Sequence, residues 1–258
     1  MSLPAILAAA APTADGLIAA IPASWLQGRT SYGGLSSALA LTAARRVAGE
    51  LPPLRSAQVS FVGPLSGEVA VRARVLRRGR NATWVGTEIV SEAGFGHAAQ
   101  FVFMGPVTSG VHLAEMPPPA GLVPVEAARA VPPDRGPGFI GNLEVRFALV
   151  RAERPEPQIC WWVRFRDRAG LDPMLELLAI ADALPPGVLP LVGARINVSS
   201  MTWLVNLLTP APATRDGWWL LRSRGTYAEQ GCSSQDMAVW NADGRPIAAG
   251  MQSIALFG

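Results

Sequence analysis

Gly67–Val75 (GEVAVRARV) can be laid over Gly217–Gly225 (GWWLLRSRG) at a constant offset of 150 (217 − 67). Gly67 then falls on Gly217, Arg72 on Arg222 and Arg74 on Arg224, and the same offset puts Ala98-Ala99 on Ala248-Ala249. Upstream of each copy lies an alanine- and leucine-rich helical stretch, Gly33–Ala48 and Asp172–Leu184. The chain therefore reads as two copies of one unit, a helix followed by a run of strands. Internal repetition fixes architecture before any single residue does. Two copies are too few for a solenoid and suit a fused pseudo-dimer, with a site where the copies meet.

The 258 residues are 50% hydrophobic and only 16% charged, enough for one large core or two medium ones. The formal net charge is +3, and none of the basic residues is lysine. So small and dispersed an excess argues against a nucleic-acid partner. Cys160 and Cys232 have no neighbouring Cys or His at ligand spacing, which argues against a metal site; both are expected as reduced core thiols. The opening MSLPAILAAAAPTADG has an apolar run but no positively charged n-region. A cytoplasmic protein without a membrane span is the expectation.

Organisation follows the punctuation. Residues 1–110 form the first unit, 111–137 a Pro- and Gly-rich linker of semi-rigid character, and 138–258 the second unit. In the first, a helix over Leu35–Ala48 is closed by Gly49, with Arg45 and Arg46 in its last turn. Strands are expected over Arg55–Val62, Glu68–Leu76, Ala82–Ser91 and Gly96–Met104. The second has Val69, Val71, Ala73 and Val75 alternating with Arg72 and Arg74, the period-two signal. In the second unit, strands Phe139–Val150 and Gln158–Asp167 precede a helix. Asp172 is its N-cap, Pro173 its first residue, and Pro185-Pro186 stops it after Leu184. Strands Arg195–Leu208, Gly217–Tyr227, Cys232–Asn241 and Arg245–Phe257 follow, the last two joined by Ala242-Asp243-Gly244.

Asp182 stands out on physical grounds. In LELLAIADALPP it lies four residues after Leu178 and seven after Leu175, on the apolar stripe and in the last turn. There the dipole of its own helix disfavours a negative charge, and a buried carboxylate needs polar company. It reads either as a site acid or as a rim Asp bonded to a strand end. Simple alternation in Arg195–Leu208 puts Ser200 and Thr202 on one face, and Ser199 with Trp203 on the other. Gln252 sits in an apolar last strand, and His97 reads as structural or exposed. No G-x-S-x-G elbow, phosphate loop or dinucleotide fingerprint occurs.

Together these stretches resemble the double-hotdog acyl-CoA thioesterases of the thioesterase II-like group. The stretches are WLQGRTSYGG before a small-residue helix, RSAQVSFVGPLSGEVAVRARVLRRGR, the helix ending AIADALPP, DGWWLL and, most specifically, the terminus NADGRPIAAGMQSIA. The resemblance implies an α+β fold, a double hotdog of two tandem repeats, each with a central helix wrapped by an antiparallel sheet. It implies a site in which an Asp, a Ser or Thr and a Gln bind a water. Asp182 falls on the Asp, Gln252 on the Gln, and Ser200 on the hydroxyl, with Ser199 and Thr202 behind it. It implies direct hydrolysis of an acyl-CoA in lipid metabolism, with no cofactor or metal, and a homodimer or larger assembly. First-turn N–H groups near Gly33-Gly34, or in the second copy, would meet the oxyanion, and the acyl chain would lie between helix and sheet. Arg77, Arg78 and Arg80 are candidate CoA-phosphate contacts, though each reads first as part of a solvated turn. A hotdog hydratase or dehydratase would need a His beside the helix Asp, and neither helix carries one. A non-catalytic acyl-CoA- or lipid-binding double hotdog is the alternative of a different class.

Overall fold

The computed structural model describes residues 1–132, 136–150, 152–193 and 196–257. The first half contains α1 (Leu3–Ala9), β1 (Ala11–Pro12), β2 (Gly16–Ile21), β3 (Leu26–Gln27), β4 (Thr30–Ser31) and α2 (Gly33–Ala48). It continues with β5 (Leu54–Phe61), β6 (Gly67–Arg78), β7 (Ala82–Ser91) and β8 (Gly94–Met104). The second half has β9 (Leu143–Phe147), β10 (Gln158–Phe165), α3 (Pro173–Ala181), β11 (Asn197–Leu207), β12 (Trp219–Glu229), β13 (Cys232–Asn241) and β14 (Pro246–Phe257).

The strands form one twelve-stranded sheet in the order β1-β2-β6-β7-β8-β5-β11-β14-β13-β12-β10-β9, with β3-β4 a separate ribbon. Read outward from the centre, β5-β8-β7-β6-β2 repeats as β11-β14-β13-β12-β10. The fold is thus a double hotdog, its halves joined edge to edge by the antiparallel pair β5–β11, where Val59 faces Trp203. Joining them this way removes the two strand edges that isolated halves would expose.

Each half wraps its sheet around a helix. In β6, Val69, Val71 and Ala73 are buried while Arg72 and Arg74 face solvent, as the alternation requires. The buried residues of α2 include Leu35, Ala38, Leu39, Ala40, Leu41, Ala43 and Ala44, so most of the helix circumference is enclosed. Each of its fully buried leucines contributes roughly 1.5–3 kcal/mol. Gly49 closes α2 at φ 69°, a left-handed conformation that favours glycine. Arg78, one of the candidate CoA contacts, donates to the carbonyls of Ala48 and Glu50 and so caps the C-terminus of α2.

The helices run antiparallel. At one end Arg45 of α2 pairs with Asp172, the N-cap of α3, at 2.9 Å. At the other, the C-cap of α3 meets the start of α2. The Tyr32 hydroxyl donates to the Ala179 carbonyl across this contact. A Cβ on Gly34 would overlap the same carbonyl, so glycine permits the close approach.

Met116 to Ala128 form a strap over the outer face of the second half. Met116 accepts a hydrogen bond from Trp240 Nε1, and Val123 one from Trp162 Nε1. Val125 and Ala128 join Cys160, Trp162, Trp218, Leu220 and Trp240 in a second small core. Several sequence expectations are corrected. A 3₁₀ turn over Gly138–Asn142 takes the start of the strand expected from Phe139, leaving β9 only Leu143–Phe147. β6 continues through Arg78, into what read as a turn. The expected strand start Arg195 lies outside the described residues. Cys160 is buried as expected, but Cys232 is exposed at the start of β13. No helix is long and apolar enough to cross a membrane among the described residues.

Candidate active site

Asp182 is the C-cap of α3, and the helix ends at Ala181 rather than at Leu184. The reason lies in the other half of the molecule. The N-cap position of α2 is Tyr32, whose side chain caps nothing, and the Asp182 carboxylate supplies the missing acceptor. The main-chain N–H of Gly34 donates to it. The positive end of the α2 dipole thus opposes the unfavourable end of α3. A Cβ on Gly33 would sit 2.5 Å from Asp182 Oδ2 and 2.6 Å from Phe61 Cε1. Only glycine leaves room for the carboxylate on this first turn.

From β14, Gln252 Nε2 donates to Asp182 Oδ1 at 2.9 Å. Gln252 is itself only 4% exposed. Burial pushes the Asp182 carboxyl up from 3.8 to about 7, against the lowering effect of the Gln252 and Gly34 hydrogen bonds. Two donors and a helix terminus therefore do not offset desolvation. The carboxyl is left half-ionised near neutral pH, the condition in which a general base works best. Burial first, and the Asp182 charge second, hold the Tyr32 phenol well above its ordinary value.

Beside Asp182 is a cavity of about 290 Å³ whose wall includes Gly33, Phe61, His97, Ser199 and Ser200. The strand β11 explains the serines. Ser200 pairs with Ile254 and Thr202 with Ser253, so Met201 is an extra residue in the strand. This bulge reverses the simple alternation. Ser200 shares the face of Trp203, which pairs with Gln252, and Thr202 turns to the opposite face. Ser199 also lines the cavity. Among the described residues, no direct hydrogen bond joins the Ser200 hydroxyl to Asp182 or Gln252.

His97 is 1% exposed, which excludes the exposed reading, and it lies on the wall of the Asp182 cavity. Its Nε2 lies 3.5 Å from Ser37 Oγ. Burial pushes the imidazole down to about 3, so it is neutral at pH 7. The expected oxyanion donor Gly34 is occupied by Asp182. Gln235 escaped sequence reading altogether; it is fully buried on β13, opposite Gln252. Period-two alternation with Met237 and Val239 was the available signal for it. No cluster of three or more His, Cys, Asp or Glu side chains suited to a metal occurs among the described residues.

The double hotdog sets the fold class, and family comparisons narrow it. The model for the acyl-CoA thioesterase N-terminal domain matches residues 21–110, and that for the acyl-CoA thioesterase C-terminal domain matches residues 119–256. The chain belongs to this acyl-CoA thioesterase family. Among solved structures it is similar to a hot dog protein of unknown function from Alicyclobacillus acidocaldarius (TM-score 0.84, 18% identity, covering 98% of this chain and 97% of that one). A putative thioesterase II from Thermobifida fusca YX gives TM-score 0.83 at 21% identity, covering 99% and 97%. The acyl-CoA thioesterase II TesB2 from Mycobacterium marinum gives 0.76 at 18%, covering 100% and 99%. At these identities the likeness concerns the fold. A search of curated protein sequences finds no match.

Proposed function

We propose that this protein hydrolyses an acyl-CoA thioester to the free acid and CoA, by direct attack of water activated at Asp182. The observation that carries this reading is a buried carboxylate, raised to about 7, beside a cavity and oriented by Gln252 and the Gly34 N–H. Asp182 is the general base. Ser200, on the same face and across the cavity, and Gln252 hold the water. With Gly34 engaged, the first-turn N–H of Gly33, which lines the cavity, meets the thioester carbonyl oxygen as it gains charge. Water adds to the carbonyl carbon, its proton passes to Asp182, and the C–S bond breaks. The Asp182 proton returns to the departing CoA thiolate.

The second half's junction supplies the acid, whereas the matching junction at the other helix ends holds the Arg45–Asp172 ion pair. One site per chain follows from this asymmetry. A cytoplasmic homodimer or larger assembly completes the reading. Thiol release from purified protein with a panel of acyl-CoAs tests it. Release abolished in Asp182→Asn supports the reading, and binding without release in wild type would replace it with a carrier role.

A further inference from the structure

Three hydrogen bonds link Asp182 to a main-chain donor in the loop after α3. Gly187 N–H donates to Gln235 Oε1 at 2.8 Å. Gln235 Nε2 donates to Gln252 Oε1 at 3.0 Å. Gln252 Nε2 donates to Asp182 Oδ1 at 2.9 Å. Each amide could in principle sit either way round. Here the direction is forced from one end, because a main-chain N–H can only donate. Gly187 therefore fixes the Gln235 oxygen, Gln235 presents its nitrogen to Gln252, and Gln252 must present its own nitrogen to Asp182.

The anchor itself is held. The loop after α3 is tied to β12 by Ser223 Oγ donating to the Pro185 carbonyl at 2.9 Å. A Cβ on Gly187 would sit 2.7 Å from Gly225 N and 2.9 Å from Ser223 O. Glycine thus lets the loop reach Gln235. Both glutamines lie side by side on the buried face, Gln235 fully buried.

We infer that Gln235 is a positioning residue: anchored by Gly187, it locks the Gln252 amide with its nitrogen toward Asp182. Without the lock the Gln252 amide can turn and offer its oxygen, which favours the protonated carboxyl and removes a donor from the water site. The other groups around Asp182 do not replace it. Tyr32 is committed to Ala179, and Gly34 to Asp182 itself. His97 on β8, Ser199 and Ser200 on β11 and Arg29 between β3 and β4 share the cavity rather than the chain of amides.

The inference rests on the reading of Asp182 as the site's acid–base group, but its test does not need turnover. The Asp182 midpoint is followed by carboxyl ¹³C NMR in the intact protein, assigned by difference from Asp182→Asn. Gln235→Met, similar in length and without hydrogen bonds, raises the midpoint by about half a unit or more, the size of one lost orienting bond. In a Gln252→Met background the same substitution adds nothing. Gln235→Glu, protonated when buried, can accept from Gly187 and donate to Gln252, and so returns the midpoint toward wild type. In kinetics at pH 7, Gln235→Met lowers kcat about tenfold with KM within about twofold. An unchanged midpoint in Gln235→Met, an equal shift in the Gln252→Met background, or failure of Gln235→Glu to restore it would overturn the inference. Gln235→Leu replaces the Met variant if that one does not fold. Wild type that releases no thiol would refute hydrolysis, while the NMR midpoints would still decide the role of Gln235.

Discussion

Replacing Asp182 by Asn should stabilise the fold, and only above a definite pH. The folded carboxyl is raised from 3.8 to about 7. The native state therefore holds this proton more tightly than the unfolded chain does. Stability follows the difference in bound protons between unfolded and native states, which is negative here. Wild-type stability accordingly falls as pH rises from about 4 to about 7, then levels off. Some three units at about 1.36 kcal/mol each give about 4 kcal/mol. Asn keeps the shape and can still accept from Gln252, but its amide serves the Gly34 N–H less well, at about 1 kcal/mol. The expected gain is thus about 3 kcal/mol at pH 8, and it turns into a small loss, about 1 kcal/mol or less, at pH 4. Urea unfolding followed by tryptophan fluorescence at several pH values measures it. A difference between variant and wild type that does not change with pH would refute the reasoning, because it would mean the carboxyl titrates at its unfolded value.

Other perturbations separate the site from its surroundings. Ser200→Ala should lower kcat at least tenfold, whereas Thr202→Ala, on the opposite face beyond the bulge, should leave it within about twofold. Steady-state thiol release distinguishes them. Gly34→Ala forces a Cβ onto the Ala179 carbonyl and the Tyr32 ring. It should cost about 1–3 kcal/mol by overpacking the helix junction, seen as a lowered unfolding midpoint. Arg78→Ala should cost about 1 kcal/mol through loss of the α2 cap while leaving KM for acyl-CoA unchanged. A raised KM would instead return Arg78 to the CoA phosphates.

The parts of this molecule that are local in sequence were legible in it. Alternation gave β6, the Asp172-Pro173 pair gave the start of α3, and Gly49 and Gly244 marked an end and a turn. The offset between the β6 and β12 segments reflected equivalent strands in the two halves of one sheet. Asp182 was visible because a carboxylate on an apolar stripe is costly. The rest depends on contacts between distant segments. The helix stops at Ala181 because Gly34 and Gln252, from elsewhere in the chain, take up the Asp182 carboxylate. The bulge at Met201 arises from pairing with β14, and period-two reading cannot show it, so Thr202 was set on the Ser200 face. His97 reaches the cavity only because β8 lies beside β5 and α2, a juxtaposition made by sheet order rather than by sequence spacing. In the sequence Gln235 is one polar residue among Ser233, Ser234 and Asp236, and only the neighbouring strand brings Gln252 to it.

The most direct test is thiol release from short-, long- and aryl-acyl-CoA substrates by wild type and Asp182→Asn, followed from pH 5 to pH 9. Water activation at Asp182 predicts a rate that rises with pH through about 7, as the carboxyl gains its charge, and then a plateau. It also predicts loss of that rate in Asp182→Asn while circular dichroism stays native. Undiminished hydrolysis in the variant, or a rate that does not respond to pH near 7, would contradict it.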